Sequence, residues 1–164
     1  MNPRTVSTEP SQVIVFQDDN QLRQSTLNAL VMEGFNAVGT GSADDFFRQL
    51  GLRPSLVALI DVDTPAHNGL DLIGVVRKKS AARIVALTTS NSPSDRLACI
   101  KAGADVCLLK PVNFMLLSAT VGVLLQRRGR QDSVLNQHQI VSQQLKTTHP
   151  HDKSRSSSAD CLTG

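Results

Sequence analysis

Leu56-Val57-Ala58-Leu59-Ile60-Asp61-Val62-Asp63-Thr64-Pro65-Ala66-His67-Asn68-Gly69-Leu70 is the stretch on which the fold turns. The run from Leu56 to Ile60 has no polar face, which suits a strand covered on both sides and not one with a wet face. It delivers Asp61 at its C-terminal end. A polar loop carrying Pro65 and Gly69 follows, and a helix is predicted from Leu70 to Lys79. A buried strand, an acid at its end and a helix after a polar loop make one unit of an open parallel sheet, whose ligands gather at the carboxyl ends of the strands.

The same unit recurs in both directions from this stretch. Val13 to Phe16 is a second unbroken apolar run, and a helix follows it from Asn20 to Glu33, ended by Gly34. Phe35 to Val38 reads as the next strand, and Ser42 as the N-cap of a short helix to Leu50. Downstream, Ile84 to Leu87 is a strand that ends at Thr88. Ser92-Pro93 opens a helix running to Lys101, with the proline at its first position. Val106 to Leu109 ends at Lys110-Pro111, and a last helix covers Asn113 to Arg127. Alternation of this kind predicts an α/β domain, a five-stranded parallel doubly wound sheet with helices on both faces.

That domain is expected over residues 12–128, after a flexible segment 1–11. Residues 129–164 turn to Gln, Ser, His and Lys and are expected to be a mostly disordered, slightly basic tail, with a short helix around Val134 to Lys146.

Composition narrows the function. Of the 164 residues 40% are apolar, with five Phe and no Tyr or Trp, so the core is built of Leu, Val, Ile and Ala. Few aromatics argue against a base-stacking platform for single-stranded nucleic acid. The net charge of +3 comes from the end of the chain, because acidic and basic residues cancel over residues 1–126. Such a tail is most simply a solvated one. Cys99, Cys107 and Cys161 show no paired spacing, which fits a reducing compartment. The first residues are polar and no run approaches membrane-spanning length, so a cytoplasmic protein without a membrane segment is expected.

Three strand ends carry reactive groups: Asp18 and Asp19 after the first, Asp61 after the third, Lys110 after the fifth. Thr88 caps the fourth. Clustered carboxylates hold a hard divalent cation through oxygen, most naturally Mg²⁺. One carboxylate can attack phosphorus and form an aspartyl phosphate. The cation, the Lys ammonium and the Thr hydroxyl would neutralise the phosphoryl oxygens during in-line transfer.

On these residues the sequence resembles the receiver domain of two-component response regulators, over about residues 12–127. The family's phosphoacceptor pattern is an apolar strand, Asp, Pro four residues on and Gly eight on, and Asp61, Pro65 and Gly69 match it. Thr88 matches its Thr/Ser position and Lys110-Pro111 its Lys-Pro, a bond typically cis in such domains. The resemblance implies phosphotransfer from a sensor histidine kinase or phosphotransfer protein to Asp61, and a switch in the last strand and its flanking helices. That region would also be the site of any homodimer. It implies Mg²⁺ held by Asp18, Asp61 and the Asp63 backbone carbonyl, with Gln17 contributing through a water. It also implies no enzymatic activity beyond the domain's own phosphotransfer and dephosphorylation.

Three positions depart from the family pattern. Its consecutive acidic pair falls on Gln17 and Asp18, and Gln17 brings no charge, so weaker Mg²⁺ binding is expected. Asp63 adds a carboxylate that either compensates in part or repels phosphate. The aromatic switch residue is replaced by Cys107, so its coupling to Thr88 is absent or rewired.

Taken singly, these residues have plainer readings. Asp18 or Asp19 caps a helix, His67 is a loop residue, and Cys107 is a small core residue. Asp61-Val62-Asp63-Thr64 also resembles the nucleophile motif of haloacid-dehalogenase-type phosphatases, but Pro65 stands where that family wants Thr or Val. Cys107 and Gln17 also fit a degenerate receiver used as a phosphorylation-independent interaction module. The basic residues from Arg127 to Arg130 also fit a truncated DNA-binding regulator. Against the truncated regulator, residues 129–164 show no helix-turn-helix pattern, and nucleic-acid binding by this chain is not expected.

Overall fold

The apolar runs become the strands of one sheet in the computed structural model, which describes residues 13–52 and 57–126. The elements are β1 (Val13–Phe16), α1 (Asn20–Met32), β2 (Ala37–Thr40), α2 (Ala43–Leu52) and β3 (Val57–Asp61). They continue with α3 (Gly69–Lys79), β4 (Arg83–Thr88), α4 (Pro93–Ala102), β5 (Val106–Leu109) and a last helix, α5, over 114–126. All strand pairings are parallel and the order is β2-β1-β3-β4-β5, so the order reverses between β1 and β3. The expected segment 1–11 and tail 129–164, with its helix at Val134 to Lys146, lie outside the described residues.

Alternation along each strand sorts the core into two layers. Ile14, Phe16, Ala58, Ile60, Ile84 and Ala86 face Phe46 of α2, Ile73 and Val76 of α3 and Cys99 of α4. Val13, Val15, Leu59, Val85 and Leu87 face Leu30 of α1 and Leu117, Val121 and Leu124 of α5. Both sides of β1 and β3 are covered, which is why these strands carry no polar residue before their ends.

One strand lies two residues later than its sequence suggests. Gly34 adopts φ +88°, and the Gly34 and Phe35 amides donate to Val31 and Leu30 carbonyls at 3.0 Å each. Phe35 therefore closes α1 and packs on the α5 side, and pairing starts at Ala37. β2 then runs on through Gly39, where a Cβ would stand 2.9 Å from Leu27 Cδ1. At the opposite end of the sheet Asp105 ties elements together. Its carboxylate accepts from Arg77 (2.7 Å), Arg83 (3.2 Å) and the Ile84 amide (2.8 Å).

Candidate functional site

Register brings the strand ends to one level. Phe16 pairs with Ile60, Asp61 with Leu87, and Thr88 with Leu109. The residues that follow or end these strands, Gln17, Asp61, Thr88 and Lys110, share one rim beside the point where strand order reverses, the place where open α/β sheets bind ligands.

Asp61 is only 6% exposed. Lys110 Nζ donates to its Oδ1 at 2.7 Å and its Oδ2 at 2.9 Å, and the Asp63 amide donates to Oδ1 at 3.1 Å. The Asp63 carboxylate turns inward as well. It accepts from the Thr88 hydroxyl (3.0 Å) and the Thr89 amide (2.5 Å), and its Oδ2 lies 3.1 Å from Lys110 Nζ. The Ser90 amide donates to Thr88 Oγ1 at 3.0 Å, which fixes the hydroxyl's direction.

Burial alone would push the Asp63 carboxyl up, but the Thr89 amide, Lys110 and Thr88 outweigh it and hold Asp63 below the usual carboxylate range. Burial alone would lower Lys110, yet Asp61 and Asp63 raise it above an ordinary lysine. At neutral pH the rim therefore holds the Lys110 ammonium beside an ionised Asp63.

The acidic end of β1 divides its labour. Asp19 N-caps α1, accepting from the Leu22 amide at 2.8 Å. Asp18 is left to the rim. Its Oδ1 and the Oε1 of Gln17 are buried and have no hydrogen-bond partner among the described residues. Orphaned buried oxygens are costly unless something satisfies them, and a hard cation that prefers oxygen ligands would do so. The residues present thus fit a Mg²⁺, although among the described residues no three His, Cys, Asp or Glu side chains cluster as a full ligand set. Residue 17 is a glutamine and Asp19 is taken up in capping α1, so the end of β1 offers the rim one carboxylate, Asp18.

The sequence reading missed Arg23, an ordinary-looking helix residue. Its guanidinium donates to the carbonyls of Gln17 and Asp18 and to Asn20 Oδ1 (2.9 Å), clamping the turn that presents Gln17 and Asp18. It also missed the Thr89 amide, since a backbone donor leaves no mark in the sequence. Gly69 packs on the loop after β3, where a Cβ would meet Val62 Cα at 2.3 Å. Asn68 N-caps α3 by accepting from the Leu70 amide at 3.2 Å. The Lys110-Pro111 bond is cis.

Cys107 is half-buried in β5 and packs against the α3/α4 core layer. Its neighbour Cys99 is pushed up to about 11, first by burial and then by Cys107, so Cys99 is a protonated core thiol. Cys107 makes no hydrogen bond to the rim among those described. Beside Lys110 a cleft of about 450 Å³ opens, lined by Leu22, Thr26, Pro111, Val112 and Phe114. Among the described residues no helix is long and apolar enough to cross a membrane.

Comparison with known proteins finds a family match over most of the described residues. The family model described as response regulator receiver domain matches residues 13–122. The transcriptional regulatory protein CpxR of Escherichia coli K12 is 30% identical over 117 residues, covering 71% of this chain and 50% of CpxR. The DNA-binding response regulator MtrA of Mycolicibacterium smegmatis is 32% identical over 123 residues, 74% of this chain and 54% of MtrA. The chain thus spans about half the length of these relatives. In fold it is similar to a receiver domain protein of Methanospirillum hungatei, with TM-score 0.69 and 22% identity over 75% of this chain and 99% of that one. The receiver domain of a Luxo repressor protein from Vibrio parahaemolyticus gives TM-score 0.70 and 20% identity, over 77% and 97%.

Proposed function

The chain belongs to the response regulator receiver domain family, and on that premise we propose that Asp61 accepts a phosphoryl group from a sensor histidine kinase or a phosphotransfer protein. The observation that carries this reading is the Asp61 carboxylate at the end of β3. It is buried to 6% exposure and gripped by Lys110 at 2.7 and 2.9 Å, with the Thr88 hydroxyl on the neighbouring strand end.

A carboxylate oxygen of Asp61 attacks phosphorus, the new O–P bond forms as the donor's N–P bond breaks, and the electron pair returns to the imidazole nitrogen, which takes a proton from water. Lys110 and Thr88 stabilise charge on the phosphoryl oxygens. Hydrolysis reverses the capture: water attacks phosphorus, the O–P bond breaks, and Asp61 and inorganic phosphate are released. Asp18, Asp61, the Asp63 carbonyl and, through a water, Gln17 would hold Mg²⁺, which supplies further neutralisation of the phosphoryl charge when bound. The domain catalyses no other reaction on this reading. Its output is protein contact in the cytoplasm, with β5 and its flanking helices as the face for a partner or a second copy.

The test is intact mass after incubation with Mg²⁺ and acetyl phosphate. Wild type gains one phosphoryl group and Asp61→Asn gains none. A wild type that stays unmodified leaves a receiver fold used as a constitutive binding module.

The β1 end yields a separate prediction. Gln17→Asp adds a charge beside the orphaned Asp18 Oδ1, and Mg²⁺ affinity is expected to rise roughly tenfold or more, even after screening by solvent. Titration of Mg²⁺ followed by amide NMR shifts reads this directly. Unchanged affinity would mean that residue 17 does not face the cation.

A further inference from the structure

The donors around Asp61 are already in use. Thr88 has one hydroxyl proton, and it goes to Asp63 Oδ1 at 3.0 Å. Thr89 has one amide proton, and it goes to Asp63 Oδ2 at 2.5 Å. Lys110 has three protons. Its two hydrogen bonds go to Asp61, and Asp63 Oδ2 lies 3.1 Å from the same nitrogen. A hydroxyl or amide with a single proton cannot serve a second anion while it serves the first.

We propose that Asp63 is an internal anion seated in the cradle that the phosphoryl oxygens on Asp61 require, so that phosphorylation must displace its side chain. This rests on Asp61 being the phosphoacceptor. The seat is tethered, because the Asp63 amide itself donates to Asp61 Oδ1. It is also reversible: the Asp63 side chain keeps 29% of its surface in solvent, against 8% for Asp61, and has a path outward. Both carboxylate oxygens are engaged, one by the Thr88 hydroxyl and one by the Thr89 amide and Lys110. The side chain thus spans a hydroxyl, an amide and an ammonium, the three kinds of donor that suit a phosphoryl group.

Asp63 is then a positioning residue with two effects on the same reaction. It slows capture, since charge-assisted hydrogen bonds must break before the phosphoryl oxygens can take the donors. It also keeps the Thr88–Ser90 backbone drawn toward the rim before any phosphoryl group arrives, because the Thr88 hydroxyl and Thr89 amide are both bound to it. Phosphorylation exchanges one anion for another at Thr88 instead of filling a vacant donor.

The experiment uses the full chain, as wild type, Asp63→Ala and Asp63→Asn. It reads the rate of mass gain from acetyl phosphate with Mg²⁺, and the Thr89 amide proton by NMR without phosphodonor. In wild type the Thr89 proton is expected at low field, as for a short bond to a carboxylate. In Asp63→Ala it moves upfield, and labelling runs roughly tenfold faster, the equivalent of one charge-assisted hydrogen bond no longer broken. Asp63→Asn keeps the shape of the side chain but offers one acceptor oxygen, and falls between the two in both readouts. A Thr89 proton that does not move in either variant overturns the proposal, as does labelling of the variants at the wild-type rate. If no protein gains mass, the phosphoacceptor reading fails, and the Thr89 proton alone decides whether Asp63 occupies the cradle.

Discussion

Gly69→Ala is expected to destabilise the protein by about 3 kcal/mol, the upper end of what overpacking costs, and to disturb the rim at the same time. A Cβ there would stand 2.3 Å from Val62 Cα and 2.7 Å from the Val62 carbonyl oxygen. Those are backbone atoms, and they cannot yield as a flexible side-chain tip can. Val62 follows Asp61 directly, and its amide donates to the Leu87 carbonyl at 2.9 Å, so a push on Val62 shifts the chain between Asp61 and Asp63. The chain has no Trp, so urea unfolding followed by far-UV circular dichroism is the suitable measure. Gly51→Ala is the control: beyond its chain neighbours and the backbone of α2, no atom of the described residues lies within 4 Å of where the new methyl would stand, and helix propensity there favours Ala by up to about 1 kcal/mol. Equal stabilities for the two variants would show that the loop after β3 is not packed against α3 as described.

Lys110→Met should lower the rate of phosphoryl capture by about 100-fold or more, the scale set by losing one preorganised donor to developing charge. The ammonium holds both oxygens of Asp61 and lies 3.1 Å from Asp63. Without it, two carboxylates two residues apart face one another with no counter-charge, and the incoming phosphoryl group meets an anionic rim. The same loss removes a cation that competes with Mg²⁺ for these carboxylates, so metal affinity rises while capture falls. A merely structural lysine would not divide the two readouts in that way. Lys110→Arg restores the charge with a different donor geometry and recovers capture only in part.

Much of this architecture is written in apolar runs. Val13 to Phe16 and Val57 to Ile60 have no polar residue because both faces of their strands are covered, and they read as strands without ambiguity. β2 does not, because Phe35 is consumed in ending α1 and the strand continues through Gly39, whose preference is set by the neighbouring α1 side chains and not by strand propensity. At the rim, residue types and spacing identify Asp61, Thr88 and Lys110. They do not reveal where the Asp63 carboxylate points, since that depends on the Thr89 amide. Nor do they reveal Arg23, whose role comes from the turn of β1 into α1. The spacing of Gly69 is visible in the sequence, but the atom it must avoid, Val62 Cα, becomes evident only once β3 and α3 are placed together.

Asp61 as phosphoacceptor is tested most directly by locating the modified residue. Wild type treated with acetyl phosphate and Mg²⁺ is reduced with borohydride, which cleaves an acyl phosphate and leaves an alcohol on the residue that carried it. Peptide sequencing by mass spectrometry then reads the position. The account predicts the change at Asp61 alone, with Asp18 and Asp63 unaltered. A change at Asp63 or Asp18, or none in any peptide, would contradict it.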